Sequence, residues 1–209
     1  MTPRLVTTVC VAVLLACCTV ESRRVQAQQS VDSAALIEWS ADRPLTIKDF
    51  RGKVPARDAE SSSRSWVAIQ AAWECEGGKA SWHARAVFDP GKSFWRPIAR
   101  DLWQAADDPS LLAPKDDGGA ALLAHEQLHF DLTEVWARRI LDLLKTLPAA
   151  CKTPSGAHGF DTVVAEMERD WRDEQQRYDK ETVHGTDFRA QRTWAVKTAK
   201  ALKDHSAAR

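Results

Sequence analysis

The order of hydrophobic patterns along the chain, strands first and helices later, predicts a single α+β domain. Two tryptophan-bearing apolar runs joined by Gly77-Gly78 predict an antiparallel hairpin, and the stretches that follow residue 117 repeat apolar residues at helical spacing. The expected architecture is a small N-terminal antiparallel sheet or hairpin, then a helix that carries the site, then C-terminal helices.

The chain begins with Arg4, an apolar run from about Leu5 to Val20, and a polar stretch, the layout of an export signal over residues 1–27. Val25-Gln26-Ala27 offers a small-residue cleavage site, and Leu14-Leu15-Ala16-Cys17 resembles a lipobox that would place a lipid anchor on Cys17. The soluble secreted form is the favoured reading of the two. The apolar run is shorter than the roughly 20 residues of a spanning helix, so no transmembrane span is expected. Residues 28–34 are polar and read as a disordered start, leaving 35–209 as one domain with a real core.

Loss of residues 1–27 removes Arg4, Arg23, Arg24 and Glu21 from 29 basic and 29 acidic residues, leaving 26 against 28. That near-neutral balance carries no electrostatic footprint for nucleic acid or for an anionic membrane. Of the five cysteines, Cys75 and Cys151 lie outside the export segment, and a lone pair in an oxidising compartment reads as one disulfide.

In chain order, ALIEWS and LTIKDFRG read as short extended pieces separated by Arg43-Pro44, and ARDAESSSRS as a loop. SWVAIQAAWECEGG and KASWHARAVF form the hairpin, with Trp82, Ala84 and Ala86 on one face and His83, Arg85 and Val87 on the other. After Asp89-Pro90-Gly91 the period becomes helical. Asp116 or Asp117 can cap a helix running from near Gly118 to about Leu147, with Leu122, Leu128, Leu132, Val135, Ile140 and Leu144 along it. A second helix follows Gly159, capped by Asp161, with Phe160, Val163, Val164, Met167, Trp171 and Tyr178 on its buried stripe. Gly185 interrupts it, and a third helix carries Trp194, Val196 and Leu202.

The chemistry concentrates in LLAHEQLHFD, residues 122–131. On a helix His125 and His129 stand one turn apart on one face, so both can direct a ring nitrogen at a single ion. Glu126 lies one residue round, beside the metal, where a general base for activated water must be. Two imidazoles and a carboxylate buried without a partner would cost several kcal/mol, about as much as any buried unpaired charge, and a divalent cation removes that cost. The competing reading is an ordinary amphipathic helix that happens to carry them.

A catalytic zinc site needs a third protein ligand and an open fourth position. The metzincin extension requires glycine at 132 and histidine at 135, where this chain has Leu132 and Val135, so that class is excluded. The candidates are His83, His158, His184, His205 and the helical Glu166 or Glu168, whose spacing resembles the gluzincin arrangement. His184, in RYDKETVHGTD, has the richest polar neighbourhood. Tyr178 can donate to an oxyanion or be a core ring with a tethered hydroxyl, and Asp179 or Asp131 can orient a ligand imidazole.

HEQLHFD, then YDKETVHG, then Gln191-x-x-Trp194 resembles the domain of unknown function 922 family, predicted secreted bacterial zinc peptidases of the zincin superfamily. LTIKDFRG is similar to that family's opening motif, with Ile47 where its pattern has tryptophan. The resemblance spans roughly residues 36 to 200 and implies a zincin-like fold. It further implies His125, His129 and His184 as metal ligands, Glu126 as base, and Asp131, Tyr178, Asp179 and Thr182 near the site. The expected activity is that of an extracytoplasmic zinc-dependent metalloendopeptidase using Zn2+ on a peptide or protein substrate. A metal-dependent amidase acting on cell-wall material and a catalytically silent metal-stabilised scaffold are the alternatives.

Overall fold

The computed structural model describes residues 36–56, 62–76, 78–96, 119–147 and 159–205. The export segment, the 28–34 start, Cys17, His158 and the Cys75–Cys151 pairing lie outside the described residues.

The expected hairpin is present. Strands β3 (Val67–Glu76) and β4 (Lys79–Phe88) pair antiparallel from Val67↔Phe88 to Glu76↔Lys79. The turn between them needs a left-handed residue, which Gly78 supplies at φ 79°. Strand β1 (Ile37–Glu38) adds to the far end of β4, giving the order β1-β4-β3. A second, two-stranded sheet joins β2 (Ser63–Arg64) to β5 (Phe94–Trp95). The serine-rich loop therefore ends in a strand, and the segment after Asp89-Pro90-Gly91 returns to one before any helix begins. LTIKDFRG is not extended: Ile47–Asp49 form a 3-10 turn because the Asp49 carboxylate accepts from the Thr46 backbone N–H at 2.8 Å and from its hydroxyl at 2.9 Å.

Alternation along β4 follows the prediction through Trp82, Ala84 and Ala86, which face the core, while His83 and Arg85 face solvent; Val87, near the β1 pairing, is buried as well. Helix α1 (Gly119–Leu144) lies across β4 and β3 and is flanked by α2 (Phe160–Thr182) and α3 (Phe188–Asp204). This placement explains why α1 is buried on more than one face: Phe130, Ile140 and Leu144 fill the core with Phe88 and Phe160, while Leu128 and Leu132 pack with Tyr178 and Trp194 on the other side. Trp82 stacks on Phe160 at 6.0 Å, tying the hairpin to the start of α2.

The helix ends differ in detail from expectation. Gly159 at φ 89° caps α2, and Asp161 sits inside the first turn. Asp187 caps α3 by accepting from the Ala190 N–H at 2.9 Å. Val196 points to solvent, whereas Trp194 is buried. None of the described helices is long and apolar enough to cross a membrane.

Candidate metal centre

Helix periodicity places His125 and His129 on one face of α1, and their Nε2 atoms stand 3.2 Å apart. Helix α2 brings Asp179 to the same point: its Oδ1 lies 2.9 Å from His129 Nε2 and 3.2 Å from His125 Nε2. The ligating atoms of His125, His129 and Asp179 all fall within 4.8 Å of one another. Tetrahedral coordination at zinc–ligand distances of about 2.1 Å separates ligand atoms by roughly 3.4 Å, close to what these side chains adopt. Two imidazoles and one carboxylate are also a donor set that suits zinc, among other divalent metals. The residues therefore fit a divalent ion.

Each ring is held from behind. His129 Nδ1 meets Gln175 Oε1 at 2.5 Å, and His125 Nδ1 meets Gln191 Oε1 at 3.3 Å. The electrostatics within the group are strong. Burial favours the neutral form of His129, but the hydrogen bond and charge of Asp179 outweigh it and raise the imidazole above its usual range. Burial likewise works against the Asp179 carboxylate, yet the hydrogen bonds from His125 and His129 hold it well below the ordinary carboxylate range. The arrangement favours positive charge at this point.

The loop after α2 presses on this group. Val183, His184 and Gly185 all have left-handed φ, at 49°, 53° and 86°. For a β-branched residue such as Val183 that conformation is strained and persists only where the surroundings impose it. Thr182 Oγ1 accepts from the Gly185 N–H at 3.2 Å and donates to the Tyr178 carbonyl at 2.7 Å, which fixes the turn. Gly185 seats directly on the His125 ring.

His184 itself is 79% exposed, with Nδ1 3.7 Å from Asp179 Oδ1. It lines an open cavity of about 410 Å³ together with Gln176, Asp179, Lys180 and Val183. Among the predicted ligands, then, the structure groups His125 and His129 and adds Asp179, with His184 on the outer side of that carboxylate. Glu166 is exposed, and Glu168 pairs with Arg172 eleven residues before Asp179, about 16 Å up the helix, so neither reaches the group. His83 is exposed beside Glu74, and His205 bonds Asp142 at 3.0 Å.

Glu126 is buried and anchored to β2. The Ser63 hydroxyl donates to its Oε1 at 2.5 Å, while the hydroxyl and backbone N–H of Ser65 donate to Oε2 at 2.5 and 2.8 Å. Tyr178 is fully buried, its ring stacked on His125 at 4.8 Å, and its hydroxyl donates to Gln191 Oε1 at 2.8 Å. Burial pushes that phenol far above its ordinary value, so it stays protonated. Asp131 faces away from the imidazoles: it accepts from Trp39 Nε1 at 2.8 Å and Gln127 Nε2 at 2.7 Å, fastening the N-terminal segment to α1.

The sequence offered Asp179 as a carboxylate that could orient a ligand imidazole, not as a member of the ligating set, and gave no role to Gln175, Ser63 or Ser65. Asp179 carried a signal, its position one turn after Gln175 and one residue after Tyr178; Ser63, on a two-residue strand, and Ser65, just past its end, carried none.

No curated protein and no solved structure matches the chain. Residues 98–185, which include the histidine pair, Asp179 and the left-handed turn, match the family described as bacterial protein of unknown function (DUF922), and this match supports the family resemblance drawn from the motifs.

Proposed function

We propose that the chain is an extracytoplasmic zinc-dependent metalloendopeptidase. The observation that carries this reading is the convergence of His125 Nε2, His129 Nε2 and Asp179 Oδ1 at 2.9–3.2 Å beside an open cavity. Zinc in such a site supplies Lewis acidity, lowering the pKa of water toward neutrality and polarising a carbonyl. His125 and His129 would hold the ion; the family resemblance adds His184, while the geometry favours Asp179, which is nearer and less exposed. Three protein ligands leave a position open for chemistry, and four would close it.

Glu126 is the proton acceptor in this proposal and passes the proton on to the leaving amine. To act so it must exchange a serine hydroxyl for water at one of its oxygens. Substrate placement is supported by β3, which pairs with β4 on one side only among the described residues and whose entry at Ser65 touches Glu126. An extended peptide can add to such an edge. The N-terminal apolar run supports the extracytoplasmic assignment.

The serine anchorage of Glu126 favours one second reading, a metal-stabilised scaffold in which the carboxylate only fastens α1 to β2. Metal content and cleavage of a mixed peptide library, measured for wild type and Glu126→Ala, separate the two. Zinc in both proteins with cleavage only by wild type supports the peptidase. Zinc with no cleavage by either supports the scaffold, and equal cleavage by both sinks the base assignment.

A further inference from the structure

The near-neutral balance of the whole chain conceals a separation of charge between two neighbouring helices. Helix α2 carries eight acidic residues against four basic ones, a formal −4. Helix α3 carries five basic residues, Arg189, Arg192, Lys197, Lys200 and Lys203, against the single acid Asp204, a formal +4.

Helical period sorts the residues of α3 by face. Gln191, Trp194 and Thr198 turn inward: Trp194 and Thr198 are buried, and Gln191 accepts from the Tyr178 hydroxyl. On the opposite side Arg189, Arg192, Val196, Lys200 and Lys203 recur three or four residues apart, all exposed, along about 21 Å of helix. Four cations thus flank one apolar side chain. Val196 is 65% exposed and belongs to neither hydrophobic cluster, so the packing of the domain does not account for it.

Along the inner edge of α3 positive charge is neutralised locally. Lys197 turns back to Glu174 at 3.1 Å, with its Nζ 4.4 Å from the centre of the Trp194 ring, and Arg177 meets the same carboxylate at 2.9 Å. The outer stripe differs. Among the described residues its one ion pair is Lys200 with Asp204 at 2.6 Å, open to solvent on both sides and therefore weak. Arg189, Arg192 and Lys203 make no ion pair among the described residues.

We infer that the solvent face of α3 is a docking surface for an anionic phospholipid bilayer, held by Arg189, Arg192, Lys200 and Lys203 with Val196 at its centre. The apolar face of α3 is already used by the domain core, so the helix lies against the headgroups instead of sinking into the acyl layer. Attachment is then electrostatic and salt-sensitive. A straight, one-signed row matches a flat surface of opposite charge, and each cation near such a surface strengthens attachment about five-fold. The central valine and the lack of an aromatic side chain on the stripe favour lipid over single-stranded nucleic acid, which is held by base stacking. The inference does not depend on the metal centre.

The test is sedimentation of the full chain with vesicles of phosphatidylcholine alone and of phosphatidylcholine mixed with phosphatidylglycerol, at low and at physiological salt. The N-terminal apolar run can enter either vesicle, so the difference between the two reports on α3. Wild type is expected to bind the anionic vesicles more tightly and to lose that advantage as salt rises. Arg192→Gln combined with Lys203→Gln is expected to reduce the advantage roughly 25-fold. Arg169→Gln combined with Arg172→Gln, which removes the same charge from the exposed side of α2, is expected to leave it nearly unchanged. Equal binding of wild type to both vesicles overturns the inference without any variant having to fold. So does an α3 variant that binds as wild type does, or an equal loss in the α2 variant, which would make net charge the cause. Tighter binding to a single-stranded oligonucleotide than to the anionic vesicles overturns the choice of lipid and with it the inference.

Discussion

Gly185 lies so close to His125 that a Cβ on it would stand 2.9 Å from both the Cβ and the Cγ of the histidine. Its φ of 86° is also one that only glycine adopts without strain. Gly185→Ala is therefore expected to push the ring off the Asp179 carboxylate and to destabilise the chain by more than about 1 kcal/mol. Thermal unfolding and a zinc titration check the two effects, and a variant with wild-type affinity would show that the ring has room to yield.

Tyr178→Phe separates two roles for the one tyrosine. Loss of the bond to Gln191 is expected to cost about 1 kcal/mol of stability and to loosen His125, with a few-fold weaker metal affinity. Were the hydroxyl an oxyanion donor, kcat would fall by about 100- to 1000-fold with metal binding intact. The buried, bonded geometry predicts the first pattern.

Much of this architecture was legible in the amino-acid pattern. Period-two alternation and Gly77-Gly78 located the hairpin, and the apolar spacing from Leu122 to Leu144 located α1 with both histidines on one face. What escaped was whatever depended on tertiary placement. A carboxylate at position 179 reads like any helix-surface acid until α2 is laid against α1. His184 looks the better ligand in sequence, yet the left-handed turn at 183–185 carries its side chain outward while its neighbour Gly185 moves in against His125. Strand β2 is too short to leave any period at all, so Ser63 on it and Ser65 just beyond it, which hold Glu126, were invisible.

Truncating Glu126 tests that anchorage as a stability effect. Glu126→Ala strands the Ser63 and Ser65 hydroxyls and the Ser65 N–H, at a cost of about 1–3 kcal/mol. Chemical denaturation of the metal-free chain measures it. A change near zero would mean that β2 and α1 are held together by other contacts.

The pH dependence follows from two opposed shifts. Asp179 is depressed on folding, so its contribution is present above the ordinary carboxylate value and lost as pH falls through its lowered folded value. His129 is raised, so its contribution is full below the ordinary imidazole value and lost as pH rises through its elevated one. Metal-free protein should therefore draw most stability from the pair between about pH 4 and 6.5. Zinc affinity should run the other way, falling as acid returns the proton to His129. Denaturation and zinc titrations across pH check both slopes, and metal affinity independent of pH below 7 would contradict the assignment of His129 as a ligand.

The grouping of His125, His129 and Asp179 as one metal centre is tested most directly by zinc binding to the purified full chain, wild type beside Asp179→Asn, measured by titration calorimetry. The expected result is one equivalent of zinc for wild type and an affinity lower by at least about tenfold for the variant, which keeps the side chain's shape and gives up its charge. Wild-type affinity in Asp179→Asn, with binding abolished instead by His184→Ala, would contradict the geometry's choice of third ligand; no zinc bound by wild type would contradict the centre itself.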